Sequence, residues 1–292
     1  MICELCPRRC GAERNENTGA GFCRMPAGAV IARAAKHYWE EPCISGESGS
    51  GAVFFSGCTL RCAFCQNMEI SAGGFGKRVS AERLREIFRE LIAAGAENIN
   101  LVTPTHFQPA IEEALAEPLP VPVVWNCGGY ESVGSLRRLE GRVQIFLPDM
   151  KYSDAAAAAR YSAAPDYPET AKAAILEMFR QTGPFRLDGR GMMKSGVIIR
   201  HLVLPGNMEN TYGVIDWAAE TFRPGDVMFS LMSQYTPAGG AAAFPELGRR
   251  LTAEEYDAAM RYMARSGIED GFSQELSSAK EEYTPPFDLT GV

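Results

Sequence analysis

Short apolar runs alternate along this chain with stretches in which apolar residues recur every three or four positions. The runs at 51–55, 98–102, 121–125, 143–147, 197–204 and 227–232 are strand-length and apolar on both alternating faces, so they predict strands buried from both sides. Between them the period changes. Ser80 caps a helix from 81 to about 94, with Leu84, Ile87, Phe88, Leu91 and Ile92 on one face and Gly95 as its stop. Residues 107–116, 133–139, 169 to about 181 and 210–222 also read as helices, and Thr252-Ala253-Glu254-Glu255 is a capping box that opens a last helix running to Arg265. Residues 30–50 look irregular, and Pro42 with the Gly- and Ser-rich 46–51 marks a connecting loop rather than a helix. The alanine run at 155–159 falls in a long connection. Six strands alternating with helices imply parallel pairing through right-handed crossovers. Six units are too few for a closed eight-unit barrel, so the expected fold is α/β, an open partial (β/α)6 barrel over residues 50–276. A Cys-rich N-terminal arm and connecting loop occupy 1–49, and 277–292, with Pro285-Pro286, reads as an extended tail.

Composition narrows the picture. The chain has 292 residues, is 46% hydrophobic and 22% charged, and carries a formal net charge of -7, which argues against a broad nucleic-acid surface. No apolar run approaches about 18 residues, so no transmembrane helix is expected. The first residues lack a basic stretch followed by an apolar one, so no secretory signal is expected either. Nine cysteines, an odd number in clusters, suit metal binding in a reducing cytosol better than a disulfide framework, and point to a cytoplasmic protein.

Two of those clusters carry candidate chemistry. After the first strand, Cys58, Cys62 and Cys65 stand at C-x3-C-x2-C spacing. Three thiolates can hold three irons of a 4Fe-4S cluster and leave the fourth iron open, as substrate coordination requires. A structural zinc site is the weaker reading because a second ligand pair is missing, and three packing cysteines are the bland one. Nearer the N-terminus Cys3, Cys6, Cys10 and Cys23 follow C-x2-C-x3-C-x12-C in a segment too polar to fold alone. Four thiolates close a coordination shell, so the arm reads as a second metal centre, structural or relaying electrons, with zinc and an auxiliary Fe-S cluster both open. Free thiols in a mobile arm are the alternative. Cys43 and His37 read as packing residues.

The Cys58 loop resembles the signature of the radical S-adenosylmethionine (SAM) superfamily, C-x3-C-x-aromatic-C, with Phe64 as the aromatic residue. That resemblance implies an open iron chelating the methionine end of SAM, and one-electron cleavage of the sulfonium to a 5'-deoxyadenosyl radical. It extends from about Ser50 to about Arg265. With the Cys-rich arm, the chain resembles an uncharacterised group of iron-sulfur proteins similar to pyruvate formate-lyase activating enzyme. The implied partners are a one-electron donor such as flavodoxin or ferredoxin and a possible protein substrate, a glycyl radical enzyme.

Ligands of parallel α/β folds gather at the carboxyl ends of strands. After the second strand stand Thr103, Pro104, Thr105 and His106, where the activating enzymes carry Gly-Gly-Glu to hold the amino group of SAM; by that resemblance Thr103, Thr105 or His106 substitutes. After the third stand Asn126, Cys127, Gly128 and Gly129, which read either as a close backbone approach to a ligand, with Asn126 bonding the ribose of SAM, or as a tight turn. The fourth ends in Asp149-Met150-Lys151, resembling the activators' Asp-x-Lys. On the fifth, Arg200 must find an anion in a buried strand, either the carboxylate of SAM or Asp149. His201 points to the opposite face and is expected under a helix. Ser233, Gln234 and Tyr235 follow the sixth. A noncatalytic iron-sulfur relay or sensor would explain the cysteines but not these polar strand ends.

Overall fold

Each of the six expected strands forms, and they pair in parallel. The computed structural model describes residues 2–274 and 285–292. It begins with β1 (Ala29–His37), the one-turn α1 (Pro42–Ser45), β2 (Ser50–Phe55), α2 (Met68–Ser71), β3 (Lys77–Val79), α3 (Ala81–Ala93) and β4 (Ile99–Val102). There follow α4 (Gln108–Ala114), β5 (Val123–Cys127), α5 (Val133–Arg137), β6 (Ile145–Pro148), α6 (Ala155–Ser162), α7 (Tyr167–Thr182) and β7 (Arg186–Leu187). The chain continues through β8 (Met193–Leu202), α8 (Met208–Thr221), β9 (Met228–Met232), α9 (Ala253–Ser266) and β10 (Gly271–Ser273). The sheet order is β10-β9-β8-β6-β5-β4-β2-β1-β3, with β7 on β8, and the sheet does not close on itself. From β2 to β10 the main path is parallel, while β1 and β3 add an antiparallel edge. Among the described residues, no helix is long and apolar enough to cross a membrane.

Local signals set most of these boundaries. Ser80 accepts a hydrogen bond from the Arg83 N–H at the start of α3, and Leu84, Ile87, Phe88 and Leu91 are its buried face. The capping box of α9 is complete, with Thr252 and Glu255 bonding each other's backbone. The region read as irregular differs. Its alanine-rich start forms β1, which pairs with all of β2 because small side chains let the two strands pack between helix and sheet. Pro42 does not exclude a helix there; it sits at the first position of α1, where no N–H is needed. The alanine run likewise forms α6, capped by the Asp154 carboxylate accepting from the Ala157 N–H, as the high helix propensity of alanine favours.

Of the tail, 277–284 lies outside the described residues. Residues 288–292 lie along β1: the Leu289 N–H donates to Ala32 O and the Ala34 N–H to Thr290 O, with an Arg33–Asp288 ion pair at 2.8 Å. They cover an edge that β3 leaves unpaired beyond Ile31.

The two-residue period of the strands sorts the core. Trp125, Phe146, Val197, Ile199 and Phe229 face the helices and pack with Leu84, Phe88, Ile175 and Val214. The alternate residues Val124, Ile145, Leu147, Ile198 and Met228 face the concave side, where Cys43 and Ile44 of α1 close over them. Thus α1 fills the concave face of the sheet at its lower end. Two residues further along the same strands, that face turns polar, with Asn126, Asp149, Arg200 and Ser230.

Candidate functional site

The cysteine loop leaves the end of β2 and is held from three sides. The Cys58 Sγ accepts from the backbone N–H of Leu60 at 3.3 Å and of Arg61 at 3.5 Å. The Ser162 hydroxyl, at the end of α6, donates to the Cys62 Sγ at 3.0 Å, and the Ser71 hydroxyl of α2 donates to the Cys65 Sγ at 3.2 Å. Burial pushes the Cys58 thiol up to about 12 and raises that of Cys65. A cation bound beside Cys58 and Cys65 would oppose that rise and favour their thiolates. Donors already aimed at sulfur suit the thiolate form.

The three cysteines line one cavity of about 160 Å3 together with Thr103, Asn126, Asp149, Lys151 and Arg200. Arg200 reaches into it from β8. Its Nε donates to Asp149 at 3.0 Å, its Nη1 to Glu40 at 3.1 Å and its Nη2 to Asn126 Oδ1 at 2.6 Å. Lys151 Nζ donates to the other Asp149 oxygen at 2.6 Å. Burial alone would raise the Asp149 carboxyl, but Lys151 and Arg200 outweigh it and hold it below the usual carboxylate range. Of the two sequence-level partners for Arg200, Asp149 is the one in place, and Glu40 is a second that the sequence reading missed. Asn126 is fixed between Arg200 and Glu40, with its Nδ2 on Glu40 at 3.2 Å.

The remaining strand-end residues divide. Thr103 lines the cavity with a backbone φ of 60°, a left-handed conformation a β-branched residue seldom adopts, and its N–H donates to Asn126 O at 2.8 Å. His106 does not line it. The 3-10 turn at Thr105–Phe107 carries its ring beneath the loop, where Nε2 sits 2.7 Å from Ser56 O. Burial lowers it to about 4, so it stays neutral and donates that N–H. The Phe64 ring also turns from the cavity, packing edge-on to Tyr161 and tilted against Tyr235 as a prop for the loop. His201 lies on the helix side, between Met150 O and the Thr211 hydroxyl of α8. Cys127 is a fourth thiol on the cavity wall; its buried thiol is raised by burial and by nearby Glu131 and Asp149.

The arm docks directly on this loop. Arg8 stacks over Phe22 at 4.0 Å, and donates from Nε to Thr59 O at 2.9 Å and from Nη2 to Ser162 O at 2.8 Å. Arg61 of the loop lies over the other contact of the same ring at 5.6 Å. Gly57 has φ of 80°, and a Cβ there would fall 2.3 Å from Met25 Cγ. Cys3 is buried, Cys6 and Cys23 half-buried and Cys10 exposed. Burial pushes Cys6 up to about 12 and raises Cys23, with the other arm thiols adding to it. Burial alone would raise Cys10, but backbone N–H groups of Phe22 and Ala12 together outweigh it and hold the thiol below its ordinary value. Among the described residues no three His, Cys, Asp or Glu side chains stand as a site for a single metal ion, so the arm's metal is a matter for proposal.

Residues 44–110 match the family described as a 4Fe-4S single cluster domain, a span that contains the whole cysteine loop. SuiB of Streptococcus suis, solved with its precursor peptide SuiA, superposes with a TM-score of 0.50 at 12% identity over 76% of this chain and 48% of SuiB. The chain shares the fold of SuiB. The chain spans about half the length of SuiB. A spore photoproduct lyase variant superposes with a TM-score of 0.47 at 14% identity, over 75% of this chain and 74% of that one. In sequence, the uncharacterized protein MJ0674 of Methanocaldococcus jannaschii is 27% identical over 277 residues, 91% of this chain and 75% of that protein. Within this fold, the strand ends supply Asn126, Asp149, Lys151 and Arg200, and the loop after β2 supplies the sulfurs. Glu40, Ser71 and Ser162 escaped the sequence reading. Only Ser71, soon after the cysteines, had a positional signal.

Proposed function

We propose that this protein is a radical SAM enzyme in which Cys58, Cys62 and Cys65 hold three irons of a 4Fe-4S cluster. The observation that carries this reading is the shared cavity: the three sulfurs open onto the same space as Asp149, Lys151, Asn126 and Arg200. When bound, the cluster and SAM supply a one-electron cleavage of the sulfonium to methionine and a 5'-deoxyadenosyl radical, which abstracts hydrogen from a substrate. The chain's own part is to hold and orient. Ser71, Ser162 and two backbone N–H groups donate to the sulfurs and stabilise their negative charge. Lys151 and Asp149 present a fixed cation and anion to the charged methionine end of SAM, and Asn126 presents an amide to its ribose. Arg200 holds the Asp149 carboxylate from its other oxygen, so the Lys151–Asp149 pair is fixed in place. Cys3, Cys6, Cys10 and Cys23 form the second metal centre, zinc or an auxiliary Fe-S cluster, and iron and zinc content of anaerobically purified protein beside a variant lacking Cys3 and Cys6 distinguishes the two.

A flavodoxin or ferredoxin in the cytoplasm suits the electron-donor role. Activation of a glycyl radical enzyme is the narrower version of this reading, supported by the Asp149-x-Lys151 and Arg200 to Pro205-Gly206 motifs. Anaerobic reconstitution, reduction and addition of SAM should yield 5'-deoxyadenosine by chromatography. A cluster that forms but neither responds spectroscopically to SAM nor gives that product would leave a noncatalytic relay, the reading that Cys127 on the cavity wall favours as a fourth ligand.

A further inference from the structure

We propose that the chamber beside the cluster cavity binds a substrate through a protonated amine, anchored on the Glu41 carboxylate. The chemistry of the substrate rests on the radical SAM reading; its binding does not. This chamber, about 390 Å3, shares Asn67, Val102, Asn126 and Arg200 with the cluster cavity, so the two spaces adjoin across those side chains. Glu40 and Glu41, just before α1, line it from the concave face of the sheet.

The two carboxylates are provided for differently. Glu40 accepts from Arg200 and from the amides of Asn100 at 3.0 Å and Asn126 at 3.2 Å. Glu41 is 8% exposed, receives a hydrogen bond from Ser230, and has its Oε2 buried with no partner. The hydrogen bonds of Arg200 go instead to Asp149, Glu40 and Asn126, so its charge acts on Glu41 without a hydrogen bond to Oε2. Around this point three carboxylates, Glu40, Glu41 and Asp149, face two cations, Arg200 and Lys151, a surplus of one negative charge in a buried space. A buried carboxylate without a partner is costly, and a proton or a bound cation relieves it. Burial accordingly raises the Glu41 carboxyl, while burial and then Arg33 lower His37 on the same wall.

A single unpaired carboxylate is too few oxygens for a hard metal ion. It suits an ammonium, whose three N–H groups reach Glu41 and neighbouring acceptors. The walls above it include Phe54, Met232 and Phe272, which fit an apolar stem. An amine seated on Glu41 would direct the rest of the molecule toward Asn126 and Arg200, the boundary with the cluster cavity.

The test is a titration of the anaerobically reconstituted protein with n-butylammonium chloride or n-butanol, read by saturation-transfer NMR. The amine should bind at least about tenfold more tightly than the alcohol. Glu41→Gln should erase that preference, Glu41→Asp should keep most of it with an unchanged fold by circular dichroism, and saturating SAM should leave it intact. Equal binding of the two probes, no binding of the amine, or a preference that survives Glu41→Gln overturns the proposal. So does competition by SAM, which would assign the carboxylate to SAM's own amine. Failure to form 5'-deoxyadenosine with the amine preference present would instead sink the radical SAM reading and leave this site standing.

Discussion

The two cysteine sets in this protein are built on different foundations. The loop set hangs from β2, a strand paired on both sides; α6 and α2 supply hydroxyl donors to Cys62 and Cys65, and the loop's own backbone supplies two to Cys58. The arm set lies in a segment whose strand-like pairings, among the described residues, are the isolated bridges Ile2–Glu13 and Arg14–Gly19, and one of its thiols is exposed. Beyond the loop sulfurs is a cavity with charged walls; beyond the arm sulfurs is the protein's own loop. The lesson is that the proposed coordination numbers follow the scaffolds: three cysteines at a strand end that faces a cavity, and four in a segment with little regular structure of its own.

The largest effect should come from separating the sets by substitution. Cys62→Ala is expected to lower 5'-deoxyadenosine formation by about a thousandfold or more, as loss of a catalytic group does, whereas Cys10→Ala should reduce metal content yet leave measurable product. If Cys62→Ala turned over normally, the assignment of roles to the two sets would be reversed or wrong.

Next in size is the contact between them. Gly57→Ala forces a left-handed backbone and drives a methyl group into Met25, and should cost about 2–4 kcal/mol in urea unfolding. Limited proteolysis should then cut within residues 2–25 first. An unchanged urea midpoint would mean that the arm does not press on the loop in solution.

His106 offers a milder way to loosen the same junction. Its folded value of about 4 lies below the ordinary 6.5, so its contribution to stability is complete above about pH 6.5 and is lost as pH falls toward 4. Between pH 7 and pH 5 that amounts to about 2 kcal/mol. His106→Gln should flatten this part of the pH profile of the urea midpoint; a profile as steep as the wild type's would remove His106 from the account, leaving buried His201, also lowered to about 4, as the source.

The smallest expected change is the most discriminating. Cys127→Ala should keep cluster iron and leave 5'-deoxyadenosine formation within about threefold. Loss of the cluster would make Cys127 a fourth ligand and close the coordination on which the comparison turns.

Much of this was legible because it repeats. The strands announce themselves by uniform burial, α3 and α9 by their caps, and the loop by its spacing. Arg200 could be singled out because a guanidinium in an apolar strand demands an anion. Glu40 and Glu41 could not, since two acids before a proline read as a solvated turn until β1 and α1 fold them inward. His106 misled for the complementary reason: a polar residue after a strand usually faces the ligand, but here a tight turn rotates it under the loop. The docking of the arm depends on Arg8, Phe22 and Arg61, which have no local pattern and meet only in three dimensions.

The position of α1 has a consequence for how the chain reaches its native form. Cys43 and Ile44 are enclosed in part by Met228 on β9, a partner far away in sequence. Such long-range closure slows folding. The cover that α1 lays over the sheet therefore has one wall missing until β9 has been synthesised.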